Sequence, residues 1–331
     1  TNELKKEVTF LLKNKKSFNF YVVHGGTNFG FTAGANSFSP TQFQPDITSY
    51  DYDAPINEQG RPTPKYFMLR NLIAQYVGYT IPDVPKLIAT IEVPAIEMKK
   101  VYNLFHYHLP SFTSPQPKPM EAFDQNQGLI SYKTKLIGHK SGKLKIWEPH
   151  DYALIFLNGK FIDTINRNGG KWEINLPKTE VENPELEIIV EGMGHINFAQ
   201  FMIDRKGITD RVTLNGMTLM NWQMTPYAMD EKFMLTQKPD LNKKASNNTH
   251  CNFFKGYFQL AETGDTYFDV SGYAKGMVYV NGHNLGRYWN TGPQQKLYCP
   301  ASWLKKGNNE IIVFDLFQSV EQNISGSSSL Y

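Results

Sequence analysis

Phe18-Asn19-Phe20-Tyr21-Val22-Val23 is a short run, apolar on both faces apart from Asn19, and it stops abruptly at His24-Gly25-Gly26. A strand buried on both faces in a parallel sheet reads this way. Upstream, residues 3 to 14 place Leu4, Val8, Leu11 and Leu12 on one face of a predicted amphipathic helix. Downstream, a loop rich in Gly, Ser, Asn and Pro runs to about Pro62. A second helix is predicted from Pro64, with Tyr66, Leu69, Leu72, Ile73 and Tyr76 on one face and Gly78 closing it. The order helix, buried strand, long loop, helix is a fragment of an α/β architecture. A strand buried on both faces needs neighbouring strands for its backbone groups, and no other candidate lies nearby.

Beyond Gly78 the texture changes. A connection carrying Pro82, Pro85 and Pro94 leads, from about residue 95, into short β-branched and aromatic runs separated by turn residues. An internal repeat divides this region. Asp151-Tyr-Ala-Leu-Ile-Phe-Leu-Asn158-Gly159 matches Ala274-Lys-Gly-Met-Val-Tyr-Val-Asn281-Gly282, an offset of 123 residues. Each Asn-Gly between alternating runs predicts a tight type I′ hairpin. Two β-sandwiches of one kind follow, with a boundary near residue 225. The expected organisation is 1–78 as an α/β segment, 79–225 as linker and first sandwich, and 226–331 as second sandwich.

Composition narrows the function classes. The 34 Lys and Arg nearly balance the 31 Asp and Glu and are scattered along the chain, so nucleic acid is not an expected partner. No stretch reaches the roughly 20 apolar residues of a membrane span. Cys251 and Cys299 are read as two free buried thiols rather than a disulfide or metal site. His106-Tyr107-His108 would set two imidazoles on one face of a strand, but no third ligand with sensible spacing follows, so no metal is expected.

The densest polar and aromatic cluster is His24 to Gly30 with Thr48 to Pro55, just beyond the C-terminal end of the predicted strand, where α/β sheets and barrels bind ligands. Asn28, Tyr50 and Tyr52 offer groups suited to sugar hydroxyls. Asp51 and Asp53 are expected to pin the loop through local hydrogen bonds. His24 is read as structural.

At this cluster the chain resembles a known family. Tyr21-Val-Val-His-Gly25-Gly26-Thr27-Asn28-Phe29-Gly30, Gly34-Ala35-Asn36, Thr48-Ser-Tyr-Asp-Tyr-Asp-Ala-Pro55 and Lys65-Tyr66-Phe67-Met-Leu69-Arg70 resemble the last strand, loop and last helix of the barrel of family 35 β-galactosidases. Val280-Asn281-Gly282, Leu285-Gly286-Arg287-Tyr288-Trp289, Gly292-Pro293-Gln294 and Leu304 to Glu310 resemble the same family's C-terminal jelly roll.

The resemblance implies α/β plus all-β: the C-terminal remnant of a (β/α)8 TIM barrel, then two jelly-roll, galactose-binding-like β-sandwiches. A whole barrel takes about 250 residues, so a missing N-terminal barrel segment is implied. The implied activity is retaining hydrolysis of terminal β-galactosides by two glutamates about 5 Å apart, with no cofactor. Both glutamates would precede the strand at 18–23. Glu3 and Glu7, on a helix, and Glu58, in a turn-rich segment, are not expected to be catalytic, so no catalytic residue is assigned within the chain. Tyr21 and Tyr52 would contact galactose, and periplasmic, secreted or lysosomal placement would follow. Arg287, Tyr288 and Trp289 could stack on sugar, but Tyr288 and Trp289 are expected to pack the sandwich against the barrel. The alternative function is a non-catalytic carbohydrate-binding protein of two sandwiches; a degenerate reading frame is a third possibility.

Overall fold

The computed structural model describes residues 2–39, 41–242, 249–292 and 294–330. Helix α1 (Asn2–Lys13) and helix α2 (Pro64–Ala74) pack together through Val8, Leu69 and Leu72, with Leu4, Leu12, Phe18 and Phe20 around them. The start of α2 follows the sequence signal. Thr63 caps it by accepting the Tyr66 N–H at 3.4 Å, and Pro64 occupies the first turn, where its missing N–H has no helical partner to lose.

The predicted strand at 18–23 is not formed. Among the described residues its only ladder-like contact is at its end, where Ile56 N–H donates to Val23 O at 2.9 Å beside a His24–Ile56 bridge. Tyr21 is 87% exposed and Val23 40%. The physical reason is the one that made the run conspicuous: a two-faced strand is held by neighbours on both edges, and among the described residues none lies alongside.

The remainder is β-sandwich. The first sandwich sets a six-stranded antiparallel sheet, built around Leu129–Lys135, Tyr152–Leu157 and Glu185–Glu191, on a four-stranded one containing Gly142–Ile146 and Val212–Leu214. Ile130, Ile155, Ile188, Leu144, Val212 and Trp222 fill the space between them. The second sandwich pairs a five-stranded sheet, centred on Asn252–Leu260 and Gly307–Asp315, with a four-stranded one centred on Thr266–Asp269 and Ile324–Ser327. Both Asn-Gly hairpins are present. Asn158 and Gly159 have φ of 51° and 74°, and Asn281 and Gly282 have 50° and 90°, the left-handed pair that a type I′ turn requires. Two strands of the second sandwich, Val93–Ile96 and Lys99–Asn103, precede the whole first sandwich in the chain. They pair with Ile324–Ser327 and Asn252–Leu260.

A third core joins the two sandwiches. Along Tyr152–Leu157 alternate residues point opposite ways: Ala153, Ile155 and Leu157 enter the first sandwich, while Tyr152, Leu154 and Phe156 meet Phe253, Met277, Tyr279 and Phe314 of the second. Lys275–Val280 divides likewise, with Val278 and Val280 turned into its own sandwich. Both strands are therefore buried along their whole length. Cys251 lies in the joining core and Cys299 in the second sandwich, both as free thiols.

Candidate functional site

The 24–62 loop is closed by a short antiparallel contact between residues 26–28 and 48–50. Asn28 N–H donates to Thr48 O at 2.7 Å and Tyr50 N–H to Gly26 O at 2.9 Å, with Thr27 opposite Ser49. Gly25 permits this approach, because a Cβ there would stand 1.5 Å from Tyr50 O. Tyr52 and Asp53 then take left-handed φ of 47° and 52°, turning the chain toward α2. Asp51 serves the loop locally, as the sequence suggested, while Asp53 reaches out to helix α2. Asp51 accepts the Glu58 N–H at 3.3 Å, and Asp53 pairs with Lys65 at 2.7 Å.

The turn gathers three tyrosines. The rings of Tyr50 and Tyr52 meet edge-on with centroids 4.5 Å apart. The Tyr50 hydroxyl is hydrogen-bonded to Tyr21, and this bond, more than any burial, pushes its pKa up to about 12. Tyr21 and Tyr52, distant in sequence, are thus brought together through Tyr50, whose linking role sequence reasoning missed. Tyr52 is 73% exposed. A cleft of about 530 Å3 is lined by these three tyrosines with Asn28 of the loop and His195 and Asn197 of the first sandwich. No motif in the sequence announced that His195 and Asn197 would face it. A further recess of about 420 Å3 is bordered by Tyr21, Tyr50 and Tyr52 with Leu4 and Phe20.

The loop is fastened to both sandwiches. Toward the second, Thr48 Oγ1 donates to Arg287 O at 2.6 Å, Ser49 N–H to Gln294 Oε1 at 2.6 Å and Gly30 N–H to Asn284 O at 3.0 Å. The Phe29 ring lies 4.4 Å from that of Trp303. Toward the first, Ala35 N–H donates to His195 O at 2.9 Å, and Phe43 lies under the cations of Arg167 and Lys206, at 4.5 and 4.8 Å.

Those cations belong to a buried network. Lys206 Nζ bonds Asp151 and Asp204, each at 2.8 Å, while Arg167 Nη1 bonds the same two carboxylates at 2.9 and 2.7 Å. Asp151 also accepts Met193 N–H, and Asp204 accepts Ile196 N–H. Burial pushes the Asp204 carboxyl up, but Lys206 and Arg167 outweigh it and hold it below the ordinary carboxylate value. Glu58 is a different case. It is 4% exposed and accepts from Thr27 Oγ1 at 2.6 Å and Ser49 Oγ at 3.1 Å, yet among the described residues no cation pairs with it, and burial raises its pKa to about 7.

Two sequence expectations are corrected. His106 and His108 share no strand face: Leu104–His106 is a 3-10 turn in which His106 Nδ1 accepts the Asn103 N–H at 3.2 Å, while His108 faces Asp240 at 3.3 Å. Arg287 meets the barrel segment through its carbonyl, which accepts from Thr48, while the rings of Tyr288 and Trp289 are used in other packing. Tyr288 is buried with its hydroxyl donating to Asp315 at 2.7 Å, and Trp289 lies 5.5 Å from Tyr152 in the core joining the sandwiches. Among the described residues no group of three His, Cys, Asp or Glu is arranged to hold a metal.

Comparison with known proteins gives the class to which this helix-flanked loop, braced by two β-sandwiches, belongs, that of the glycoside hydrolases. Three family descriptions match in succession: glycosyl hydrolases family 35 over residues 1–76, the first all-beta domain of beta-galactosidase over 117–228, and the beta-galactosidase galactose-binding domain over 251–309. Beta-galactosidase 1 of Dictyostelium discoideum is 33% identical, over 92% of this chain and 50% of its own length. Beta-galactosidase 17 of Arabidopsis thaliana is 35% identical over 92% and 49%, and the human beta-galactosidase-1-like protein 2 is 34% identical over 95% and 50%. The chain belongs to glycosyl hydrolase family 35 and corresponds to the C-terminal part of its β-galactosidases. It spans about half the length of these relatives.

Proposed function

We propose that the protein carrying this chain is a retaining exo-β-galactosidase that releases terminal β-galactose, with both catalytic glutamates upstream of residue 1. On this reading residues 1–78 close a TIM barrel, and 79–225 and 226–331 supply the two sandwiches, with the strands at 93–103 contributed to the second. The observation that carries it is the set of Tyr21, Tyr50 and Tyr52, gathered at the end of a helix-flanked segment that lacks lateral neighbours among the described residues. Upstream barrel strands would flank residues 18–23, cover Tyr21 and bring the two carboxylates up to the tyrosines. Tyr21 and Tyr52 are the galactose-contacting residues of this chain.

The full-length protein is expected to hydrolyse an aryl β-galactoside, and residues 1–331 alone to show no turnover. Tyr52→Phe in the full-length protein should lower kcat/KM by about tenfold, the loss of one hydrogen bond to a charged or developing-charge group. Unchanged kcat/KM would remove Tyr52 from the site, and binding of galactosides without turnover by the full-length protein would favour the non-catalytic alternative.

A further inference from the structure

The edge of the first sandwich carries a groove that the hydrolase reading does not use. Phe112–Ser114 is the outermost strand of the six-stranded sheet, so one side of its backbone has no ladder partner among the described residues. Phe112 is 45% exposed and its ring stacks on Phe123 with centroids 4.8 Å apart and planes inclined by 27°. The two rings form part of the wall of an open groove of about 1000 Å3.

The charges lining this groove are unequally occupied. Of its two carboxylates, Glu121 accepts the Lys206 N–H with both oxygens, at 3.0 and 3.2 Å, and Asp210 pairs with Arg211 at 2.9 Å. Arg211 also lies over the Trp147 ring at 4.5 Å. The remaining charged groups are Lys118 and Arg205, both exposed, and neither has an ion-pair partner among the described residues. Their backbones are fixed: Lys118 O accepts the Tyr132 hydroxyl at 2.7 Å and Arg205 O faces His150 Nδ1 at 2.7 Å. Met120 N–H donates to Lys206 O at 2.8 Å, which sets the two segments side by side. An exposed aromatic face beside unpaired cations is complementary to a sugar with an apolar face and an anionic substituent.

We propose that this groove binds an acidic oligosaccharide, with the apolar face of one sugar on Phe112 and its carboxylate or sulfate held by Lys118 and Arg205. The site is independent of the galactosidase reading, since none of these residues belongs to the tyrosine cleft. Calorimetric titration of the intact protein with three galactan-type oligosaccharides of equal length, one neutral, one of galacturonate and one sulfated, tests it. The acidic ligands should bind at least about tenfold more tightly than the neutral one, with an advantage that shrinks as salt is raised. The double variant Lys118→Gln, Arg205→Gln should reduce acidic binding to the neutral level, and Phe112→Ala should weaken it by about tenfold. Urea unfolding midpoints close to that of the unaltered protein report that both variants remain folded. Whether the galacturonate or the sulfated chain binds more tightly identifies the anionic group. Equal affinity for neutral and acidic chains, indifference to either variant, or no binding at all would overturn the proposal.

Discussion

Lys206→Met is expected to destabilise the protein by about 3–5 kcal/mol, the range for removing one partner from a buried, hydrogen-bonded ion pair. Lys206 is fully buried and bonds two carboxylates that are themselves out of water. Without it, Asp151 and Asp204 share the single cation of Arg167. One of them must then take up a proton or remain as an uncompensated charge. The damage should reach the loop as well, because Phe43 rests on the two cations and Asp204 holds the Ile196 N–H next to His195. Urea unfolding at neutral pH measures the effect; a loss below about 1 kcal/mol would mean that the carboxylates are not sealed from solvent as described.

Glu58→Gln is expected to act in the opposite direction and only above mildly acidic pH. The folded pKa of Glu58 is about 7 against an ordinary 4.5, so the folded protein holds a proton that the unfolded chain releases. The stability linked to that proton is complete below about pH 4.5 and is lost as pH rises through about 7, a change of up to about 3 kcal/mol. A glutamine side chain at this position cannot titrate, and the neighbours Thr27 and Ser49 carry hydroxyls that can reorient toward it, so the variant should lack this component. The difference between wild type and variant, followed by urea unfolding from pH 5 to pH 8, isolates it from every other titrating group. Parallel stability curves across that range would rule out the buried carboxyl as their source.

The elements most legible in the sequence were those whose cause is local. The Asn-Gly pairs at 158–159 and 281–282 carry their turn in two residues, and Pro64 after Thr63 carries the start of α2. The run at 18–23 was legible as a strand but not formed, because its stability depends on neighbours rather than on its own residues. The core joining the sandwiches went unread. Tyr152, Leu154 and Phe156 are as apolar as Ala153, Ile155 and Leu157, and a run apolar at every position was a signal that both faces are covered. At the site, Tyr21 and Tyr52 came from resemblance. The Tyr50 bridge between them and the burial of Glu58 arise from a fold-back whose geometry no local pattern encodes.

The early position of Val93–Ile96 and Lys99–Asn103 sets an order of events during synthesis. These strands leave the ribosome about 150 to 230 residues ahead of the partners they finally join. At roughly 5–20 residues per second they wait on the order of ten to forty seconds, while the first sandwich, continuous in sequence, can complete its sheets. The nascent chain therefore carries an unpaired β segment while those intervening residues are translated, held between helix α2 and a sandwich already able to fold. That interval is when chaperones, or a neighbouring nascent copy, have access to those edges.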